Sequence, residues 1–440
     1  MTLSFLEFVP SLDLFPMLAG VLAAVACGVL GNFLVLRRLS LMGDAISHAV
    51  LPGLVIAFMV TASRDPLAMF VGAAAAGLVT VVLVEVVKEL GRVESGAAMG
   101  VVFSVLFALG VLLVEVGPQR RVDLDADCVL NGEMTTLVWR GAPETLAGVF
   151  DWETVRAMPR QVWVLVGAAV VAIVFVVGLF KELRIAAFDP ALATAQGFHA
   201  TLLHYLLMVL VAVATVASFE AVGSILVIAM LICPAATARL LTDRLSVQVA
   251  WSVVIAVLSG VLGYLLAAGV PAMFGKDQVN PAGAIAATAG VLLVVAIVGS
   301  PRHGVVAKRV RRGRLAVSIA REDVLGLLYR AEESAGDGGA GLAVERVRET
   351  LPGRRVLKAV RRSARAGEIE RRGETVGLTE RGRAEAERLV RRHRLWERYL
   401  VDEAGLLPDH VHATAEMLEH LPTEPPSGAR LDPHGRDIPG

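Results

Sequence analysis

FLVLRRLSLMGDAISHAVLP, Phe33 to Pro52, joins two apolar runs through a pair of arginines and sets an acid and an imidazole inside the second run. A helix rises about 1.5 Å per residue and the hydrocarbon core of a bilayer is about 30 Å thick, so about 20 apolar residues suffice to cross it. The runs on either side, residues 12–36 and 45–62, approach that length. Asp44 and His48 are four apart and share one face of a helix, where they can hold or relay one cation. Ionisable groups at membrane depth are costly and face a cavity or the bundle interior. The structural alternative is that Asp44 caps its helix and His48 makes a core hydrogen bond.

Outward from this stretch, further apolar segments lie near residues 66–88, 96–116, 161–180, 201–217, 220–240, 247–270 and 282–300. That makes nine segments, and eight to ten crossings, because 201–240 reads either as a hairpin or as a partly re-entrant piece. Basic residues cluster at Arg37 and Arg38, Lys88 and Arg92, Lys181 and Arg184, Arg239 and Arg244, and Arg302 to Arg314. Placing these clusters in the cytoplasm gives an external amino terminus and a cytoplasmic carboxyl end. Residues 117–160 form one long loop. The first 36 residues hold no Lys or Arg, so the first apolar segment is expected to remain as an anchor. Glu220 stands within an otherwise uncharged run, where a carboxylate pairs with a histidine or cation or is protonated. It is expected to line a translocation route with Asp44 and His48.

The charge balance of the 440 residues, 42 basic against 42 acidic, hides two different halves. Residues 1–301 contain 35 charged side chains, whereas the remaining 139 contain 49. A single soluble domain and a disordered chain are excluded. Three cysteines, Cys27, Cys128 and Cys233, form neither a disulfide framework nor a CxxC zinc motif. No GxxxxGK[ST] phosphate loop occurs in the sequence.

The polar tail opens with Lys308-Arg309-Val310-Arg311-Arg312-Gly313-Arg314, read as the basic flank of the last crossing. A helix over Arg321–Glu333, a Gly-rich loop over Ser334–Gly341, and helical stretches over Leu342–Leu351 and Val356–Ala366, joined through Pro352-Gly353, follow. A turn-rich piece, Glu368–Gly377, leads to Thr379, which can cap a long helix to about Val401, and a last helix starts near Pro408 and ends before Pro422. Helices, a short turn and a two-stranded wing are the order of a winged helix. His393 and Glu397 are spaced i, i+4, and His412, Glu416, Glu419 and His420 would share one helical stripe, a nitrogen and oxygen donor set suited to manganese, iron(II) or zinc. Arg354, Arg355, Lys358, Arg361 and Arg362 could neutralise DNA phosphates or anionic lipid headgroups.

Three stretches carry a resemblance. LRRLSLMGDAISHAVLPG, FDPALATAQG (Phe188 to Gly197) and SFEAVGSILVIAMLICPAATAR (Ser218 to Arg239) are similar to the permease subunits of ATP-driven transporters for zinc, manganese and iron(II). The resemblance implies import, an ATPase subunit docking at Phe188, Asp189, Pro190 and Gly197, an external metal-binding protein, and a second permease copy, identical or related. The tail, in LTERGRAEAERLVRRHRLWERYLVDEAGL, HVHATAEMLEH and DPHGRDIPG, resembles metal-dependent regulators of the diphtheria toxin repressor family. This implies ligand roles for Asp323, His393, Glu397, His412, Glu416, Glu419 and His420. Glu416 stands where manganese-responsive members carry a glutamate, and Gly326 stands where they place another carboxylate, so the set is one carboxylate short of the full two-metal pattern.

The expectation is an all-α polytopic membrane protein of about 8–10 transmembrane helices followed by a cytoplasmic winged-helix-like and helical metal-binding and dimerisation module. Expected boundaries are 1–301 for the permease domain, 302–318 for the basic connector, 319–378 for the winged-helix-like domain and 379–440 for the metal-binding domain. The expected function is the non-enzymatic permease subunit of a divalent-metal importer in the cell membrane, with a metal-sensing tail. A membrane-anchored transcriptional regulator is the alternative, and a channel or secondary transporter a third.

Overall fold

The computed structural model describes residues 10–63, 65–116, 134, 158–273, 279–335, 341–351, 355–421, 423, 425 and 429–439. The expected long loop at 117–160 falls almost wholly outside the described residues, as do Pro352-Gly353, Arg354 and the centre of the Gly-rich loop. The chain divides into two compact units, Met1–Ala307 and Lys308–Gly440.

The first unit is helical: α1 (Pro10–Leu36), α2 (Met42–Thr61), α3 (Pro66–Gly91), α4 (Ser95–Val116), α5 (Arg160–Gly178), α6 (Phe180–Phe188), α7 (Pro190–Ala195), α8 (Ala200–Leu241), α9 (Leu245–Met273) and α10 (Pro281–Gly299). Local chemistry sets several ends. Pro66 and Pro281 open α3 and α10, where a missing N–H costs nothing, and the Asn280 side chain accepts from the Ala282 amide at 2.9 Å. Eight helices among the described residues are long and apolar enough to cross a membrane. The two segments expected at 201–217 and 220–240 correspond to α8, which is two helical pieces joined with no loop between Ala217 and Glu220. The helical path breaks instead at Gly223 (φ 76°, ψ 167°), a conformation open to a residue without a Cβ.

Burial separates centre from rim. Of the apolar stretches, 72% of α1 and 67% of α8 is buried within the protein, against 28% of α3 and 22% of α4. Val79, Val82 and Leu83 on α3 and Val105, Leu109 and Leu112 on α4 turn outward, as helices solvated by hydrocarbon do. In lipid, close backbone approach replaces the hydrophobic effect as the means of holding helices together. A Cβ added at Gly31 of α1 would lie 1.9 Å from the Leu231 carbonyl oxygen of α8. Buried polar groups tie α1 to α9: Asn32 Nδ2 donates to Ser252 Oγ at 2.7 Å, and Gln248 Nε2 donates to Asn32 Oδ1 at 3.0 Å. Near the opposite end of α1, the Tyr264 hydroxyl donates to Asp13 Oδ1 at 2.7 Å.

In the tail, the basic connector is not a separate linker but lies inside α11 (Val305–Ala335), which continues through the expected Arg321–Glu333 helix. After it come β1 (Leu342–Ala343), α12 (Val344–Thr350), α13 (Val356–Arg365), β2 (Ile369–Arg372), β3 (Thr375–Leu378) and α14 (Glu380–Asp402). Antiparallel pairing gives the strand order β1-β3-β2, with Leu342 opposite Val376 and Arg372 opposite Thr375. Val324, Leu325, Leu328, Val347, Val356, Val360, Ile369, Val376 and Ala386 form its core. This is a winged-helix arrangement. Thr379 caps α14, its Oγ1 accepting from the Gly382 amide at 3.1 Å. A 3-10 turn (Pro408–His410) precedes α15 (His412–Leu418), shorter than the expected helix, so Glu419 and His420 lie beyond its end.

Candidate metal centres and coupling segment

Among the described residues, two sets of three donors have ligand atoms within 4.8 Å of one another, and both are in the tail. The first is His393, Glu397 and His412. Helical spacing puts His393 and Glu397 on one face of α14, and α15 brings His412 against them. His393 Nε2, Glu397 Oε1 and His412 Nδ1 stand 3.1, 3.1 and 2.9 Å apart, a nearly equilateral triangle. Ligands at about 2.1 Å from an ion in octahedral geometry are separated by about 3 Å, so this triangle fits one face of such an octahedron. Two imidazoles and a carboxylate on one face, with positions left for water, suit manganese, iron(II) or zinc.

The second set is Asp323, Glu419 and His420. Asp323 comes from α11, and its Oδ1 lies 3.2 Å from His420 Nε2. The other ring nitrogen, Nδ1, meets Glu322 Oε2 at 2.7 Å. Glu419 joins the two sets, because its Oε2 stands 2.5 Å from His393 Nδ1. The donors expected on one helical stripe are thus divided: His412 belongs to the first set, and Glu419 and His420 to the second. Glu416 is exposed and in neither. The stripe fails because α15 ends at Leu418 and the turn after it buries Glu419 against α14.

The electrostatics of both sets oppose burial to pairing. Burial alone would lower the imidazole of His393, but its bonds with Glu397 and Glu419 outweigh that and raise it. Burial would raise the Glu397 carboxyl, yet His393 and His412 hold it down to about 2. At His420, burial is again outweighed, by Asp323 and Glu322, and the imidazole rises to about 10. Four carboxylates around three imidazoles favour positive charge, supplied by protons here and by a divalent ion when one is bound.

In the membrane half, His48 Nε2 and Asp44 Oδ1 of α2 are 3.4 Å apart, each side chain one-third exposed. The His48 ring lies against Phe103 and Phe107 of α4, with centroids at 5.3 and 5.2 Å. Glu220 is exposed on α8, three residues before the break at Gly223, and does not complete a three-donor set with Asp44 and His48.

Residues 14–140 and 153–279 match the ABC 3 transport family. The chain belongs to that family. Its relatives include the manganese transport system membrane protein MntD of Bacillus subtilis (strain 168), 44% identical over 66% of this chain and 93% of the relative. The zinc transport system membrane protein TroD of Treponema pallidum (strain Nichols) is 37% identical over 83% of this chain and 95% of its own. Among solved structures, PsaBC from Streptococcus pneumoniae in complex with Fab is 28% identical with a TM-score of 0.52, covering 66% of this chain and 92% of that one. Residues 379–425 match the iron dependent repressor, metal binding and dimerisation domain. This ABC 3 family member is therefore a multi-pass membrane permease subunit, with a segment similar to the metal-binding and dimerisation domain of the iron dependent repressor in the same chain. The matched repressor segment contains His393, Glu397, His412, Glu416, Glu419 and His420, whereas Asp323 and Glu322 lie before it.

The segment expected to meet an ATPase is also well formed in this ABC 3 member. Asp189 caps α7, its Oδ1 accepting from the Leu192 amide at 2.9 Å, Pro190 opens the helix, and Gly197 closes it with φ 87°. Ala186, Ala193 and Leu203 are buried together and hold the pair α6–α7 to the start of α8, while Phe188 is 62% exposed. On the winged helix, Arg355, Lys358, Arg361 and Arg362 are exposed along one face of α13. Sequence reasoning passed over Glu322, Phe103 and Phe107. Glu322 sits beside a candidate ligand, and the two phenylalanines are one helical turn apart, but neither signal distinguishes them from ordinary surface and lipid-facing residues.

Proposed function

We propose that this protein is the membrane subunit of an ATP-driven importer of divalent transition-metal ions, and that its tail is a cytoplasmic sensor of the same class of ion. What carries the reading is the coexistence, in one chain, of an ABC 3 membrane half and two converging nitrogen and oxygen donor sets outside it. The names of the relatives favour manganese or zinc as cargo. An external binding protein delivers the ion, and Asp44, His48 and Glu220 line its route. A separate ATPase docks on Phe188, Asp189, Pro190 and Gly197 and drives alternation between outward and inward access. Two ATPase sites call for two permease copies, this chain twice or this chain with a related one.

In the tail, His393, Glu397 and His412 hold one ion, and Asp323, Glu419 and His420 a second. Asp323 lies on α11, the helix that carries the chain from one unit into the other, so occupancy that clamps α11 to the segment after α15 can reduce uptake by linkage. Uptake of manganese and zinc by cells loaded beforehand with the same metal tests both parts. Asp44→Asn with His48→Gln abolishes uptake, and deletion of residues 308–440 relieves inhibition by internal metal. Unchanged uptake in the first variant removes the route, and equal inhibition with and without the tail removes the sensor.

A second reading draws on the exposed basic face of α13 and on Arg371 and Arg372 of the wing: a membrane-anchored, metal-dependent regulator that binds DNA. A gel shift with the full-length protein in detergent, with and without manganese, separates it from the sensor.

A further inference from the structure

His420 presents a choice that no donor count settles. An imidazole coordinates through one nitrogen only, and the nitrogen left over decides which way the ring faces and which one carries the proton. Here both nitrogens meet acidic residues adjacent in sequence. Glu322 Oε2 is 2.7 Å from Nδ1, and Asp323 Oδ1 is 3.2 Å from Nε2. Successive side chains on a helix point about 100° apart, so the two carboxylates grip opposite edges of the ring. Asp323 lies on the Nε2 side and shares the donor set with Glu419 and His420, leaving Glu322 outside it.

We infer that Glu322 is the positioning residue of the second metal site: it holds the proton of His420 on Nδ1 and thereby directs Nε2 to the ion. The inference rests on the reading that the tail takes up a divalent ion. The first site repeats the arrangement, since His393 turns Nε2 to Glu397 and His412 while Nδ1 faces Glu419. In each site a carboxylate occupies the nitrogen pointing away from the donors.

The support beneath Glu322 is rigid. The preceding residue, Arg321, makes a two-pronged pair with Glu368, whose side chain is 4% exposed, and the following turn of α11 buries Val324, Leu325 and Leu328. A carboxylate held on a packed helix keeps the ring at a fixed angle before the ion arrives. Glu322 also adds negative charge near a set that lacks the carboxylate Gly326 does not supply.

Titration of the full-length protein in detergent with cobalt(II), followed by its visible absorption and by equilibrium dialysis, tests the role. Asp323→Ala loses one ion per chain. Glu322→Ala keeps that ion but binds it about 10- to 100-fold more weakly, as loss of an outer partner does. Glu322→Gln stays close to the unaltered protein, because its amide oxygen still accepts from Nδ1–H. Three outcomes overturn the inference: wild-type affinity in Glu322→Ala, loss of the ion in Glu322→Gln to the extent seen with Asp323→Ala, or loss of the ion at His393, Glu397 and His412 as well, which would mark a general structural role. Failure of the unaltered protein to bind cobalt in its tail overturns the sensor reading itself, and this inference with it.

Discussion

His393 touches both donor sets, its two nitrogens serving opposite sides of one ring, and the charge balance around it and His420 has a consequence for pH. The His420 imidazole rises from 6.5 to about 10, so folding favours its protonated form. Its contribution to stability is complete below pH 6.5 and lost as pH rises through about 10. Glu397 falls from 4.5 to about 2, so its contribution is complete above pH 4.5 and lost as pH falls through about 2. Thermal melts of the metal-free protein should therefore show a tail transition that declines from pH 7 to pH 10, and saturating manganese should flatten the decline by replacing the proton at Nε2. A metal-free tail equally stable at both pH values would contradict this balance. His393, Glu397, His412 and His420 were legible as donors because short spacings of imidazole and carboxylate carry a chemical signal. Their division into two sets was not, since it depends on where a seven-residue helix ends.

Among the elements, α7 and α1 make the sharpest demands on single side chains. Removing the cap with Asp189→Ala should weaken α7 by about 1 kcal/mol. Phe188→Ala should remove the exposed apolar side chain proposed to meet the ATPase while leaving the permease folded. Co-purification of the ATPase should fall for both, more for Phe188→Ala, with no change in metal binding by the tail. In α1, Gly31→Leu places a side chain where the Leu231 carbonyl already stands. Overpacking typically costs about 1–3 kcal/mol, and a backbone obstacle puts this site at the upper end or beyond. Folded protein recovered in detergent should drop sharply, whereas Gly100→Leu, with open space around it, should be tolerated. The apolar length of the helices was readable, because hydrocarbon thickness imposes it. The break of α8 at Gly223 was not: hydropathy measures how apolar a segment is, whereas the backbone angle of one residue sets its path.

At the scale of the whole molecule, the proposed function unites a membrane half that passes an ion with a tail that holds one. The membrane half offers the Asp44–His48 pair and the more distant Glu220, a sparse set suited to passage. The tail offers two convergent triads, suited to residence. Full-length protein and a variant lacking residues 308–440 should thus differ in bound metal, by about two ions per chain. Equal metal content after dialysis would contradict this assignment.

Hydropathy, charge distribution and short motifs by themselves determined the membrane half, its family, the polar tail, and most members of the two candidate donor sets. Those features are local: transfer to lipid depends on composition over about 20 residues, and donor chemistry on residue type. Tertiary structure alone decided that Glu419 joins the two sites, that Glu322 faces the far nitrogen of His420, and that α11 runs unbroken through the basic connector. The first two depend on distances of about 3 Å between groups far apart in sequence, set by packing, and the third on helical bonding that runs past Gly313.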